Sequence, residues 1–272
     1  MSNGSSSNSR GATGSGSGSR ASGTPGRGSG SGASATAQLL WGPAPTPTRG
    51  PKPALSLDRI ARAGIEIADA EGLGAVSMQR VAGLLDYTKM SLYRYLPGKA
   101  ELVALMVETA VGEPAEPARP VEPSGWRGQL LDWSHHLADA FAAHPWLLDA
   151  TVGPRPMGPR ELAWLEQVVA ALDGTGLTGP ERMDAAMLLA GHVRSIAEQS
   201  RAAGPGGAPE SEMLAALGGL LQEHADRFPA LAAATREAAA EGGQDEALAF
   251  GLDRILDGLD ALITRRSRSA GS

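Results

Sequence analysis

The stretch Ser77–Leu96, SMQRVAGLLDYTKMSLYRYL, decides the fold. Its first half sets Val81, Leu84 and Leu85 at helical spacing behind Ser77, a residue type that caps helix N-termini. Asp86-Tyr87 makes a tight turn, and Thr88 opens a second helix expected to run to about Leu96. That second segment packs Thr, Lys, Ser, Arg and two Tyr into eight residues. An apolar helix, a short turn and a helix dense in hydrogen-bonding groups are what a helix-turn-helix requires. The second helix of such a unit enters the major groove of DNA by its N-terminal end.

Working outward, Ser56 is placed to cap a helix running to about Glu71, with Leu57, Ile60, Ala61, Gly64, Ile65 and Ala68 as its apolar stripe. Gly72 and Gly74 stop it. Pro97-Gly98 ends the polar helix, and Lys99 begins a fourth, amphipathic through Leu102, Leu105 and Met106. Within the polar helix, Leu92 should turn back to Val81 and Leu85, leaving Lys89, Tyr93 and Leu96 on the other side. Thr88, Lys89, Met90 and Ser91 are then the base-reading candidates. Lys89 suits guanine acceptors and Met90 a thymine methyl, while Tyr93, Arg94, Tyr95 and Lys99 suit phosphates.

Charge is distributed unevenly over the 272 residues. Residues 1–57 carry five basic and no acidic side chains, residues 58–106 six of each, and residues 107–272 13 basic against 24 acidic. An acidic bulk behind a neutral-to-basic N-terminal region fits a protein that meets a polyanion at one end. Aromatics make up only 4% and cysteine is absent, which favours helices packed through small residues and removes disulfides and thiolate chemistry. No apolar run has the length of a membrane span and the N-terminus lacks a secretory signal's apolar core, so a cytoplasmic location with no membrane partner is expected.

Five units are expected. Residues 1–37, rich in Gly and Ser, should form a disordered tail, and residues 38–54 a Pro-rich basic arm exposing Arg49 and Lys52. Residues 55–110 form the DNA-binding unit. Pro114, Pro117, Pro120 and Pro123 mark a boundary. Residues 124–266 then read as helices throughout, at about 125–143, 145–152, 159–173, 180–203, 210–225, 229–241 and 244–265, before a tail at 267–272. The expected fold class is all-α. In the last helix Phe250, Leu252, Ile255, Leu256, Leu259, Leu262 and Ile263 spread over a wider arc than one core contact needs, which suggests a dimer contact with Gly251 and Gly258 allowing close approach.

Other constellations are weaker. Asp132, His135, His136 and Asp139 lie at i, i+3, i+4 and i+7 of one helix, a spacing that metal ligands use but that a solvated face shares, so no metal is assigned. Gly174–Gly179, GTGLTG, matches a dinucleotide fingerprint in letters, but no strand precedes it and it reads as an interhelical loop. No cofactor motif, nucleophile elbow or Walker loop is present. Candidates for a small-molecule pocket are Trp133, Trp146, Met157, Trp164, Met183, Met187, His192 and Gln199, a set that would serve equally as core.

Together, Ile60, Ala68, Glu71-Gly72, Ser77-Met78, Val81-Ala82, Leu84-Leu85, Met90–Tyr95 and Lys99–Leu102 resemble the tetracycline-repressor family of bacterial transcription factors over residues 55–110. LLWG and TRGPKPALSLDRI within Leu39–Ile60 resemble an N-terminal arm of actinobacterial members. The resemblance implies a homodimer on palindromic operator DNA, released by a small-molecule effector bound in the C-terminal helical domain, most simply as a repressor. By carry-over the operator contacts include Ser77, Gln79, Lys89, Met90, Ser91, Tyr93, Tyr95 and Lys99, with Arg49 and Lys52 as additional contacts. Asp86 departs from the family, which usually has Gly there; Asp tolerates a left-handed backbone better than most residues, so a strained but intact turn is expected. A helical enzyme, or a protein-binding adaptor with a vestigial helix-turn-helix, is the alternative reading.

Overall fold

A computed structural model describes residues 30–42, 55–114, 125–204, 206–240 and 246–270. Among them every regular element is helical. The chain opens with α1 (Gly30–Trp41), then α2 (Leu57–Glu71), a single 3₁₀ turn at Leu73–Ala75, α3 (Met78–Leu84), α4 (Lys89–Tyr93) and α5 (Lys99–Val111). There follow α6 (Trp126–Ala143), α7 (Leu147–Ala150), α8 (Pro159–Ala171), α9 (Gly179–Ala203), α10 (Pro209–His224), α11 (Pro229–Ala240) and α12 (Ala247–Ala270).

Local chemistry sets the helix starts in the N-terminal unit. Ser56, Ser77 and Thr88 each accept a hydrogen bond from the backbone N–H three residues on, at 3.2 Å. These satisfy donors that the helix itself leaves unpaired. Ile60, Val81, Leu92, Leu96, Leu102 and Met106 are fully buried between α2, α3, α4 and α5. Each such side chain contributes roughly 1.5–3 kcal/mol by leaving water. Gly64 lets α2 and α5 close up, since a Cβ there would stand 2.7 Å from the Met106 sulfur.

The turn between α3 and α4 takes the form expected of it. Asp86 has φ 60°, and among the described residues it alone is left-handed without being glycine. Tyr87 N–H donates to Ala82 C=O at 2.8 Å and Asp86 N–H to Gly83 C=O at 3.2 Å, the two bonds of a Schellman ending. Asp86→Gly should therefore raise the unfolding free energy by about 0.5–1 kcal/mol. A lower thermal midpoint for that variant would contradict the strain.

Several details differ from expectation. α2 buries Ala63 and Ile67 while Leu57 and Ile65 are only partly covered, because its contact with α5 is centred on Gly64. Leu84 faces outward at 48% exposure; the turn bends α3 away before its last residue reaches the core. The polar segment after the turn is helical only to Tyr93, and Leu96 turns back into the core beside Leu92 instead of sharing a side with Lys89 and Tyr93. Composition assigned residues 30–37 to a disordered tail, yet they belong to α1, which lies along α5. The Thr36 hydroxyl donates to buried Glu101 at 3.0 Å, and the Trp41 indole donates to Met157 C=O at 2.9 Å. Leu39 packs on the core beside them. The expectations for 1–29, and for Arg49 and Lys52 of the arm, lie outside the described residues.

In the C-terminal unit α6, α8, α9 and α12 enclose a core of Leu130, Trp133, Val168, Leu172, Leu189, Val193, Leu252 and Leu256. α9 and α12 run antiparallel. His192 of α9 sits against Leu248 C=O at 3.2 Å, and Arg266 of α12 reaches Glu181 at the other end at 2.5 Å. Arg266, helped by Thr178, pulls the Glu181 carboxyl down to about 2. No helix among the described residues is long and apolar enough to cross a membrane.

Candidate functional site

The outer face of α4 is built by its shortness. Thr88 caps it and Leu92 anchors it, which leaves Lys89, Met90 and Tyr93 exposed. Met90 is 72% exposed, more than any other large apolar side chain among the described residues. The Lys89 ammonium lies 5.6 Å from the Tyr93 ring centroid, a cation–π contact that steadies both. Ser91 is half-buried and its hydroxyl pairs with that of Thr88 at 2.9 Å. Arg94 and Tyr95 extend the exposed surface beyond the helix end, and Lys99 stands exposed at the first turn of α5.

Charge in this unit is balanced in number but not in pairing. Glu71 is held by both Arg80 nitrogens, which draws its carboxyl below the usual range, and Asp58 is held by Arg62 at 2.9 Å. Lys89, Arg94 and Lys99 have no carboxylate partner among the described residues. Three unneutralised cations, two tyrosines and a methionine on one turn-and-helix surface can engage phosphates and base edges. Ser77 and Thr88 are committed as helix caps, and Gln79 is exposed on α3.

The pocket candidates are not brought together. Trp133, Trp146 and Trp164 are buried packing residues whose indole N–H groups donate to Trp164 C=O, Asp69 and Gly112 C=O at 2.8, 2.7 and 3.3 Å. Met183 and Met187 face outward on α9, Gln199 is exposed, and Met157 lies half-buried in the loop before α8. His192 is half-buried with its ring pressed on Gly251, so that glycine admits a residue of its own chain and not a partner's.

A cavity of about 550 Å³ opens elsewhere, between the C-terminal half of α6 and α9, with Leu248 of α12 at one side. Phe141, Ala142, Pro145, Val193, Ile196 and Ala197 give it apolar walls; Asp139, Ser200 and Arg201 supply polar groups. None of the eight sequence candidates lines it. The signal that could have found it is a stripe of small residues at 138, 142, 197, 200 and 204, which leaves space where larger side chains would fill it. Asp132, His135 and His136 are exposed on α6, and no group of three or more His, Asp or Glu among the described residues could hold a metal ion.

Comparison with known proteins places this geometry. Residues 119–263 match the family model described as "Tetracyclin repressor-like, C-terminal domain". The chain is 38% identical over 235 residues to the HTH-type transcriptional repressor DrrR1 of Streptomyces coeruleorubidus, covering 84% of this chain and 86% of that one. It is similar to apo ActR of Streptomyces coelicolor with a TM-score of 0.66 and 28% identity, over 79% of this chain and 99% of that one. ActR in complex with actinorhodin aligns with a TM-score of 0.65 and 29% identity, over 77% and 98%.

Proposed function

Because the chain belongs to the tetracycline-repressor family of DNA-binding transcription regulators, we propose that it acts as a homodimeric repressor, released from a palindromic operator by a largely apolar small molecule. The relatives bear the names of regulators and not of enzymes, and nothing favours a helical enzyme or an adaptor with a vestigial helix-turn-helix. The observation that carries the reading is the outer face of α4, where Lys89, Met90 and Tyr93 stand exposed with Arg94 and Lys99 unneutralised beside them. Such a face suits double-stranded DNA, and therefore the cytoplasm. DrrR1 is named a repressor, which supports the direction of control.

The effector reading rests on the cavity. Its volume and apolar walls suit a small organic molecule, and its few polar groups would orient one. ActR, similar over most of the chain, is solved with actinorhodin bound. The dimer reading rests on α9, whose Met183, Met187 and Leu188 form an exposed stripe at helical spacing, and on α12, whose Phe250 is exposed. Gly258 faces open space, where a partner helix can approach.

Fluorescence anisotropy on duplexes tiled across the gene's own upstream region, with a salt titration, tests the proposal. A tight, salt-sensitive site filled by dimers is expected, and weak uniform binding to every tile in a genome-wide pull-down as well as in the tiling would overturn it. On that site Lys99→Ala and Tyr93→Phe should weaken binding across all sequences, with Lys99→Ala lowering the salt slope by about 1 for each phosphate the lysine neutralises. Lys89→Ala should instead relax discrimination at one base position per half-site by about 1–3 kcal/mol.

A further inference from the structure

One short segment joins the cavity to the DNA-binding unit. Pro145 forms part of the cavity wall, and its two neighbours, His144 and Trp146, converge on a single carboxylate oxygen of Asp69. The distances are 2.8 Å from His144 Nδ1 and 2.7 Å from Trp146 Nε1. Asp69 belongs to α2, within the DNA-binding unit. A carboxylate only accepts, so His144 must present a proton at Nδ1.

The same segment is gripped from its other side by α9. Arg201, which also lines the cavity, donates to Pro145 C=O at 3.4 Å and to Asp149 at 2.8 Å. Arg194 donates to Leu148 C=O and to the Thr151 hydroxyl, the latter at 2.9 Å. Trp146, Leu147 and Leu148 are buried, so the segment cannot flex residue by residue. A close-packed unit of this kind shifts as a whole.

We propose that residues 144–151 are a latch: His144 and Trp146 hold Asp69 and fix the DNA-binding unit for operator binding, and a molecule that displaces Pro145 and Arg201 in the cavity pulls them off it. The proposal rests on the reading of the cavity as the effector site. It differs from transmission along the chain itself through α5, because Asp69 lies on α2 and its contact with the segment spans 75 residues of sequence. Linkage then fixes the signs. A latch that favours the operator-bound state opposes the ligand, so breaking it weakens operator binding and tightens ligand binding by a related factor.

The test uses the full chain, the operator duplex recovered by tiling, and 1-anilinonaphthalene-8-sulfonate as a fluorescent cavity probe. Asp69→Ala should bind the duplex about tenfold more weakly and the probe about tenfold more tightly. Asp69→Asn keeps a carbonyl oxygen that accepts both N–H groups and should stay within about threefold of the wild type in each assay. His144→Ala removes one donor and should move both affinities in the same directions by a smaller factor. Asp69→Ala with both affinities unchanged, or with both weakened alongside a lower melting temperature, overturns the latch. Ala197→Trp, which fills the cavity, separates the two layers. Probe binding equal to wild type in that variant overturns the cavity as effector site. Probe binding abolished there, with operator–probe coupling unchanged in Asp69→Ala, overturns the latch alone.

Discussion

A chain carrying Leu188→Glu should run as a monomer by light scattering at micromolar concentration and lose operator affinity by about two orders of magnitude or more, while melting near the wild-type temperature. Leu188 is 54% exposed in the single chain, so an added carboxylate there remains hydrated and costs the fold little. Its neighbours are what make the position costly in a dimer. Met183 and Met187 share the stripe, Gly191 continues it without a side chain, and α12 adds Phe250 at 65% exposure. A contiguous apolar strip of this sort is the usual mark of a surface that another protein covers. Paired face to face across a two-fold axis, the strip would bring each introduced carboxylate against apolar atoms and near its symmetry mate, and neither charge would have a partner.

In a dimer paired this way the effect on DNA would exceed that of weakening one head, because two heads on one body would bind as a linked pair. The first head fixes the second at an effective concentration in the millimolar range, and separating them forfeits that factor entirely. Phe250→Glu should act in the same direction. A Leu188→Glu chain that stays dimeric, or a monomer that retains wild-type operator affinity, would contradict the arrangement.

Features governed by local chemistry were legible in the sequence, and features governed by what lies across the core were not. Ser56, Ser77 and Thr88 act as caps because a hydroxyl three residues ahead of a free N–H needs nothing else to do so. Asp86 shows its left-handed backbone because the turn length demands it. The sides that Leu84 and Leu96 face are not legible from spacing, because their direction depends on where α3 and α4 end, and helix ends are fixed by packing as much as by propensity. The tryptophans resembled pocket walls, but each has an indole N–H that finds an acceptor within the packed protein. Cavities form where side chains are small, so the trace of this one in the sequence is only the spacing of residues such as Ala138, Ala142 and Ala197, which have no polar or aromatic group to single them out. The helix at Gly30–Trp41 was hidden for a similar reason. Its composition cannot support a helix alone, but Thr36, Leu39 and Trp41 each find a partner on elements far along the chain.

Gly158→Ala should lower the unfolding free energy by about 1–3 kcal/mol, because the glycine makes room for a cap that comes from another helix. α8 starts after Gly158, which has no side chain to accept the first free N–H groups. Glu108 of α5 takes that role, accepting from Arg160 N–H at 3.0 Å and from Glu161 N–H at 3.2 Å. A Cβ on residue 158 would stand 2.1 Å from the Glu108 carboxyl carbon and drive it off both amides. Glu108 is only 4% exposed, and burial raises its carboxyl above the ordinary range, the two backbone hydrogen bonds offsetting part of that rise. A raised native value means that the folded chain holds the proton more tightly than the unfolded one. The resulting stability is full below the unfolded carboxylate range and is lost as the pH climbs through the raised value. Glu108→Gln cannot titrate, so the wild type's advantage over it in urea melts should narrow as the pH climbs from the ordinary carboxylate range through the raised value. Taking the difference between the two chains cancels the carboxylates they share, including Glu71, Glu181 and Asp257, whose lowered values give the opposite slope. An advantage that widens with pH would mean that the amide hydrogen bonds outweigh burial at Glu108. Because Glu108 ties the far end of α5 to the core, either variant should also loosen the helix from which the DNA-binding unit hangs.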